Sequence, residues 1–336
     1  MPRLKVLAIL SLATLFAPAF GQDAHPAGPG TLNYVEGNAS VDGRAVTPQS
    51  VGSVTLDAGG TVATANGKVE VLLTPGVFLR MGDDSTVQMI SPKLTHTEVQ
   101  VLRGRVQVEV NQLYPQNNLQ IDGSNGQALL LKPGLYELNA DNSTLRVFDG
   151  KAAAFRGNVS DGDAKAVVVK DGRQLNFAGD VKPQKFDKDT KDELYKWGSL
   201  RSQYLGNANE SLAEQYAGNY GAGPYYGNGW LWSSGLYGYT WLPGGGAYMS
   251  PFGYGFYSPY YLYGGGYLFG GGYGYGGGYY GGGYGRGGYY GGGAFKNYNA
   301  RNGIVSGAGR SSMSGGGGSF RGGGGGARGG GGGGHR

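Results

Sequence analysis

GKVEVLLTPGVFLRMGDDSTVQM, Gly67–Met89, is followed fifty-eight positions later by a second version of itself, GQALLLKPGLYELNADNSTLRV, 126–147. The second copy has one residue fewer before its Pro-Gly. Pro75-Gly76 matches Pro133-Gly134, and Asp83, Ser85 and Thr86 match Asp141, Ser143 and Thr144. Val87 and Met89 match Leu145 and Val147. Each copy reads as an apolar run, a Pro-Gly corner, an alternating run, an Asp-rich turn and another alternating run. Such alternation between turn residues specifies consecutive short strands. No catalytic residue type recurs with the pattern. What is duplicated is a mode of packing, and two such β units can share a core that neither buries alone.

Around the duplication the same grammar runs from Thr31 to Phe177. Arg105-Val106-Gln107-Val108-Glu109-Val110 places three valines on one face, and Val99 and Val101 do the same upstream. Asp42-Gly43, Gly59-Gly60, Asn66-Gly67, Asp122-Gly123, Asp149-Gly150 and Asp171-Gly172 punctuate the runs. Asn-Gly and Asp-Gly favour hairpin turns because both central residues of a type I′ turn need positive φ. Arg103-Gly104-Arg105 and Asp149-Gly150-Lys151 occupy similar places after each copy, which extends the repeat by a hairpin. Twelve or more strands are expected, in an antiparallel sandwich, a barrel or a layered β stack, since period-two runs throughout argue against βαβ units.

Residues 30–110 resemble the FecR domain, an all-β extracytoplasmic module. The resemblance rests on Val35-Glu36-Gly37-Asn38-Ala39-Ser40-Val41, then Leu56-Asp57-Ala58-Gly59-Gly60-Thr61-Val62-Ala63-Thr64, then 68–89, and the closing hairpin Val99–Val108. It covers about a quarter of the chain well, and about half if the second copy belongs. It implies a structural unit without catalytic residues. Membrane-bound regulators of that family carry an anti-sigma segment and a transmembrane helix before the domain, whereas this sequence begins with a secretory signal.

That signal is Met1–Gly21. Arg3 and Lys5 give a basic start, Val6–Phe16 is apolar, and Ala19 and Gly21 are small residues at −3 and −1, which places cleavage before Gln22. The apolar run is shorter than a spanning helix needs, and no later run is long enough, so no transmembrane segment is expected after cleavage. The expected location is periplasmic or extracellular. There is no cysteine, which excludes disulfides, thiolate metal sites and cysteine nucleophiles.

Composition divides the 336 residues. After Ala217 lie 49 of the 71 glycines and 20 of the 26 tyrosines. Glycine loses much backbone entropy on ordering and brings no side chain to pack. The ordinary folding part is therefore 22–217: a β domain over 22–185, then a helix over 186–218. An aromatic, Gly- and Pro-rich segment follows at 219–269, and a basic Gly-rich tail expected to be disordered at 270–336. The tail beyond Ala217 has seven Lys or Arg and no acid. Removing these, with Arg3 and Lys5, from the net charge of +5 leaves −4 for the body. A pI near 9 thus describes a mildly acidic domain with a basic tail, not a nucleic-acid-binding surface.

In the helical stretch Leu194, Trp197, Leu200, Tyr204, Leu205, Ala208, Leu212 and Tyr216 recur at three and four, a stripe expected to pack on the sheet. Asp187 or Asp189 is placed to cap its start and Gly218 to end it. Gly198 and Gly206 each weaken it by up to about 1 kcal/mol.

Candidate chemistry is sparse. Histidines occur at His25, His96 and His335. A hydrolytic triad would need His96 to converge with Ser85 and Asp83. Asp83-Asp84 and Asp141-Asn142 offer oxygens to Ca²⁺, but Asx turn formation explains them without a metal. Arg-Gly-Gly at Arg286, Arg321 and Arg328 resembles RNA-binding tails, a reading at odds with export. No catalytic, cofactor or metal residues are assigned. The expected function is a non-enzymatic envelope binding or scaffold protein that contacts a protein or polysaccharide. The alternatives are a self-associating matrix protein driven by the Tyr/Gly tail, and a cell-wall glycosidase, which would need paired carboxylates in a groove.

Overall fold

The computed structural model describes residues 27–157, 166–180, 182–220 and 227–262. The signal segment 1–21, His25, His335, the Arg-Gly-Gly motifs and the tail 270–336 lie outside the described residues. All described residues fall in the first of two units, which ends at Tyr273.

The strands run in order as β1 Leu32–Val41, β2 Arg44–Val46, β3 Thr61–Leu72, β4 Val77–Met81 and β5 Thr86–Lys93. Next come β6 His96–Arg103, β7 Arg105–Val110, β8 Asn118–Gly123, β9 Gly126–Leu130 and β10 Gly134–Asn139. β11 Thr144–Asp149, β12 Lys151–Arg156, β13 Val167–Lys170, β14 Arg173–Asn176 and β15 Gln184–Lys185 complete the body. Helix α1, Glu193–Tyr220, follows. Two further hairpins pair β16 Gly229–Ser233 with β17 Gly238–Leu242, and β18 Ala247–Met249 with β19 Gly255–Tyr257.

The fifteen body strands form one hydrogen-bonded path, β13-β12-β9-β8-β6-β5-β3-β4-β7-β10-β11-β14-β15, with β1 on β3 and β2 on β1. The path folds over at β3. The start of β3 pairs with β5 through Val62↔Val87, and its end pairs with β4 through Val71↔Leu79. Two layers result, a first layer from β13 to β5 and a second from β4 to β15. The bend is made by glycine: β1 and β3 cross at Gly37↔Gly67, where a bulge interrupts the register. A Cβ on Gly67 would lie 2.6 Å from the Glu36 carbonyl oxygen, so only glycine lets the two backbones approach. Asn66-Gly67, expected as a hairpin turn, is thus a bulge inside one long strand.

Of the Asp-Gly signals, Asp42-Gly43 makes the two-residue turn, with φ of 48° and 75°. Asp149-Gly150 and Asp171-Gly172, like Gly104, are corners at which the chain crosses from one layer to the other. The expected hairpins are absent there because the strands on either side pair elsewhere: β11 with β10 and β14, β12 with β9 and β13. β6 and β8 run parallel, the one departure from antiparallel pairing among the described strands.

The duplicated stretches are strands in both copies, and they meet at β7. Leu79 and Tyr136 both face Val108, and Met81 and Leu138 both face Val106. Asp83 accepts the Gly67 N–H at 2.8 Å and Asp141 accepts the Gly104 N–H at 2.9 Å, so each copy uses its Asp to hold a glycine backbone in place. The copies part company at the Pro-Gly. Thr74–Val77 is a type II turn, with Pro75 second and Gly76 at φ 85°, and it folds β4 back on β3. Pro133-Gly134 instead carries the chain across the layers, because both edges of β9 are taken by β8 and β12.

Between the layers lies an aliphatic core in which Val62, Val69, Val71, Leu79, Val99, Val106, Val108, Leu119, Leu130, Tyr136 and Leu145 are all at most 2 % exposed. The second layer is buried on its outer side as well. There α1 and the two hairpins cover it, and Leu72, Phe78, Leu205, Tyr239, Trp241 and Phe256 form a second cluster. The fully buried rings among them each contribute roughly 2–3 kcal/mol. The aromatic segment is therefore ordered on the body over 227–262.

α1 begins at a cap provided by Asp192, whose Oδ1 accepts the Tyr195 N–H at 2.9 Å. Asp187 spends its carboxylate on the Asp189 N–H and the Thr190 hydroxyl instead, and the helix passes Gly218 to end at Tyr220. Its buried face also differs from the apolar stripe in the sequence. Leu194, Trp197, Gly198, Arg201, Ser202, Leu205, Gly206, Asn209 and Ala213 are buried against the sheet or the two hairpins, while Leu200 and Tyr204 are 45 % and 50 % exposed. The glycines are what bring the helix close. A Cβ on Gly206 would stand 3.0 Å from the Gly255 carbonyl oxygen, and one on Gly198 would stand 2.9 Å from Gln107 Oε1.

Arg201 and Ser202 reach a buried ionic network on the outer face of the second layer. Arg80 donates to Glu70 at 2.8 Å and to Glu109 at 2.5 Å, and Arg201 donates to Glu70 at 2.9 Å while covering the Tyr34 ring. Asn33 completes Glu70, and Asn111 and Ser202 complete Glu109. Burial pushes the Glu70 carboxyl up, but the Arg201 and Arg80 guanidiniums outweigh it and hold the group below its usual range. The alternating pattern of β7 showed which residues share a face. It did not show that the polar face is covered too.

Candidate binding face

With the second layer sealed, the outer side of the first layer is the one broad sheet face that nothing covers among the described residues. Alternation along each strand fixes what it presents. One cross-strand row reads Gln88, Gln100, Asp122, Gln127 and Phe155 on β5, β6, β8, β9 and β12. The next reads Ser91, Glu98, Gln120, Leu129, Ala153 and Val168. A third joins Lys93, His96 and Asn118. Strand spacing of roughly 4.8 Å makes each row a ladder of side chains at that repeat. The β5–β6–β8 side is amide and carboxylate. The β9–β12–β13 side is apolar, with Leu131 and Val168 39 % and 42 % exposed.

The polar side is wired internally. Asn118 Nδ2 lies 2.8 Å from His96 Nδ1, which makes that nitrogen the acceptor and leaves Nε2–H to donate to Glu98 at 2.8 Å. Glu98 is a close acidic neighbour of Asp122, which accepts from Gln120 at 2.9 Å. Burial, with Glu98 as a close like charge, pushes the Asp122 carboxyl up to about 7, against the opposing hydrogen bond from Gln120. Asp122 lines a depression of about 140 Å³ with Gln100, Ser124 and Gln127. At the far end of the face a larger cleft, about 530 Å³, lies between the loop Leu113–Asn118 and Leu129–Leu131.

The residues weighed in the sequence as chemistry are kept apart. Ser85 is buried, its hydroxyl exchanging hydrogen bonds with the Arg105 backbone. His96 lies at the opposite end of the β5–β6 pair, roughly seven residues or 23 Å away. Asp83 and Asp141 are engaged with backbone amides, as above. Among the described residues no group of three or more His, Asp or Glu side chains is placed to hold a metal ion.

Sequence reasoning missed this face. A signal was available: Val87-Gln88-Met89, Val99-Gln100-Val101, Leu119-Gln120-Ile121 and Gly126-Gln127-Ala128 each set an amide between two inward residues. Among the described residues no helix is long and apolar enough to cross a membrane. No protein-family model and no curated protein matches the chain.

Proposed function

We propose that this is a non-enzymatic, exported binding or scaffold protein of the cell envelope, FecR-like in its β unit, whose first-layer face contacts an envelope protein or polysaccharide. The observation that carries the reading is the asymmetry of the two sheet faces. One is closed by a helix, two aromatic hairpins and a buried ionic network. The other is left open, with an ordered row of amides beside an apolar patch. Amide and carboxylate ladders flanked by Phe155 and Leu129 suit a flat, hydrogen-bonding partner. The packing of Trp241, Tyr239 and Phe256 on the body removes those rings from the alternative, self-association.

Photo-crosslinking residues at positions 100, 127 and 155 of the full chain, with a control at Gln203 on α1, test this in the producing cell. A discrete adduct from the face and none from the control is expected, on a mature chain that begins at Gln22. Equal labelling from all four positions, or a chain retained uncleaved in the cytoplasm, defeats it.

A further inference from the structure

A second feature lies on the other side of the molecule. Part of the helix stripe that looked like core in the sequence, Tyr204, Ala208 and Leu212, lies off the buried face. Tyr204, Asn207, Ala208, Ser211, Leu212 and Gln215 keep a three-and-four spacing along about 16 Å of α1 and line a cleft of about 500 Å³. Its opposite wall is the β16–β17 turn, Trp232 to Leu236. The volume falls in the range of roughly 300–1,000 Å³ usual for small-ligand sites.

The lining has two properties that restrict the ligand. It carries no Asp, Glu, Lys, Arg or His, although α1 bears Lys196, Glu210 and Glu214 elsewhere on its surface. A charged ligand would find no counter-ion. The lining also pairs aromatic rings with amides and hydroxyls: Trp232 and Tyr204 beside Asn207, Ser211, Gln215, Ser233 and Ser234. The Trp232 ring is fixed in place. Tyr237 and Tyr239 meet it edge-on at 5.4 and 5.1 Å, and Gly52 leaves room for its far edge. A rigid aromatic presented with short polar side chains binds at low entropic cost.

We infer that this cleft is a binding site for an uncharged, hydroxyl-rich ligand, a neutral saccharide whose apolar ring face lies against Trp232 and Tyr204 while Asn207, Ser211 and Gln215 bond its hydroxyls. The site is independent of the first-layer face and stands or falls without it.

The test is calorimetric titration of the full mature chain with three soluble probes: a β-1,4-glucan hexamer, maltohexaose and an oligouronate. Saturable binding of a neutral hexamer that is insensitive to salt is expected. Tyr204→Ala and Gln215→Ala sit at exposed positions and preserve the fold; each is expected to weaken binding about tenfold, as truncating an anchor in a small site does. Gln100→Ala, on the first-layer face, leaves it unchanged. Failure of both neutral hexamers to bind overturns the inference. So does binding of the uronate alone at low salt, or neutral binding that survives both cleft substitutions. Loss of first-layer crosslinks with intact saccharide binding would separate the two sites.

Discussion

Asn33 and Tyr239 hold each other by two hydrogen bonds. The Asn33 Nδ2 donates to the Tyr239 carbonyl at 2.9 Å, and its Oδ1 accepts the Tyr239 N–H at 2.7 Å. The side-chain amide of a bulged residue on β1 thus pairs with the backbone of β17 as a neighbouring strand would, and it joins positions 206 residues apart. The same Nδ2 donates to Glu70, so the hairpin and the ionic network share one anchor.

Asn33→Leu is expected to destabilise the protein by about 2–4 kcal/mol, because it removes both buried hydrogen bonds to the Tyr239 backbone and a donor from Glu70. Limited proteolysis should then cut first within 227–262. Urea unfolding matching the parent would show that the pairing contributes nothing.

Replacing Arg80 by Met leaves the Glu70 and Glu109 carboxylates buried without their shared cation. A loss of about 3–5 kcal/mol at neutral pH is expected from denaturant titration. The deficit should narrow in acid. Glu70 is held below its usual range in the parent, so the pairing contributes above the ordinary carboxylate pKa and is lost as pH falls through the depressed value. A deficit independent of pH would point to packing instead of charge.

Gly206→Ala opposes two effects. Alanine favours a helix by about 1 kcal/mol over glycine. The added methyl would meet the Gly255 backbone carbonyl oxygen at 3.0 Å, and a backbone in a paired strand cannot swing aside as a side chain can. Overpacking of this kind costs about 1–3 kcal/mol, so a net loss is expected, seen as a lower Tm. A rise in Tm would mean that α1 stands off the β18–β19 hairpin.

Asp122→Asn tests the raised Asp122 carboxyl. The folded-state pKa is raised, to about 7 from an ordinary 3.8, so the group favours folding in acid and that contribution disappears as pH rises through 7. The substitution should therefore stabilise the protein at pH 8 by on the order of 2 kcal/mol, allowing for solvent screening, and change little at pH 4. An equal effect at both pH values would sink the assignment.

The strands, their alternation and the doubling of the unit were legible because a two-residue period and turn residues are local properties. So was the helix. Its orientation was legible only in part: of the apolar stripe Leu194, Trp197 and Leu205 are buried, but Leu200 and Tyr204 are exposed, and Gly198, Ser202, Gly206 and Asn209 fill the rest of the inward face. Small and polar residues won that face because the buried polar ridge of Arg80, Gln107 and Glu109 needs close approach and a partner from Gly198 and Ser202, while Gly206 and Asn209 meet the backbones of the two hairpins. The open face escaped notice for a related reason. Gln100, Asp122 and Gln127 are unremarkable one at a time and become a row only when β6, β8 and β9, from separate parts of the chain, align in register.

By itself, then, the sequence settled that the described body is made of strands around an aliphatic core, with one helix after them, since periodicity and backbone preference act within a few residues. Which layer each strand joins, which helix face turns inward, that the aromatic segment closes one sheet face, and that the other stays open were decided in three dimensions. Those outcomes depend on hydrogen-bond edges and buried charges that meet only after distant segments have packed, and no window along the chain contains them.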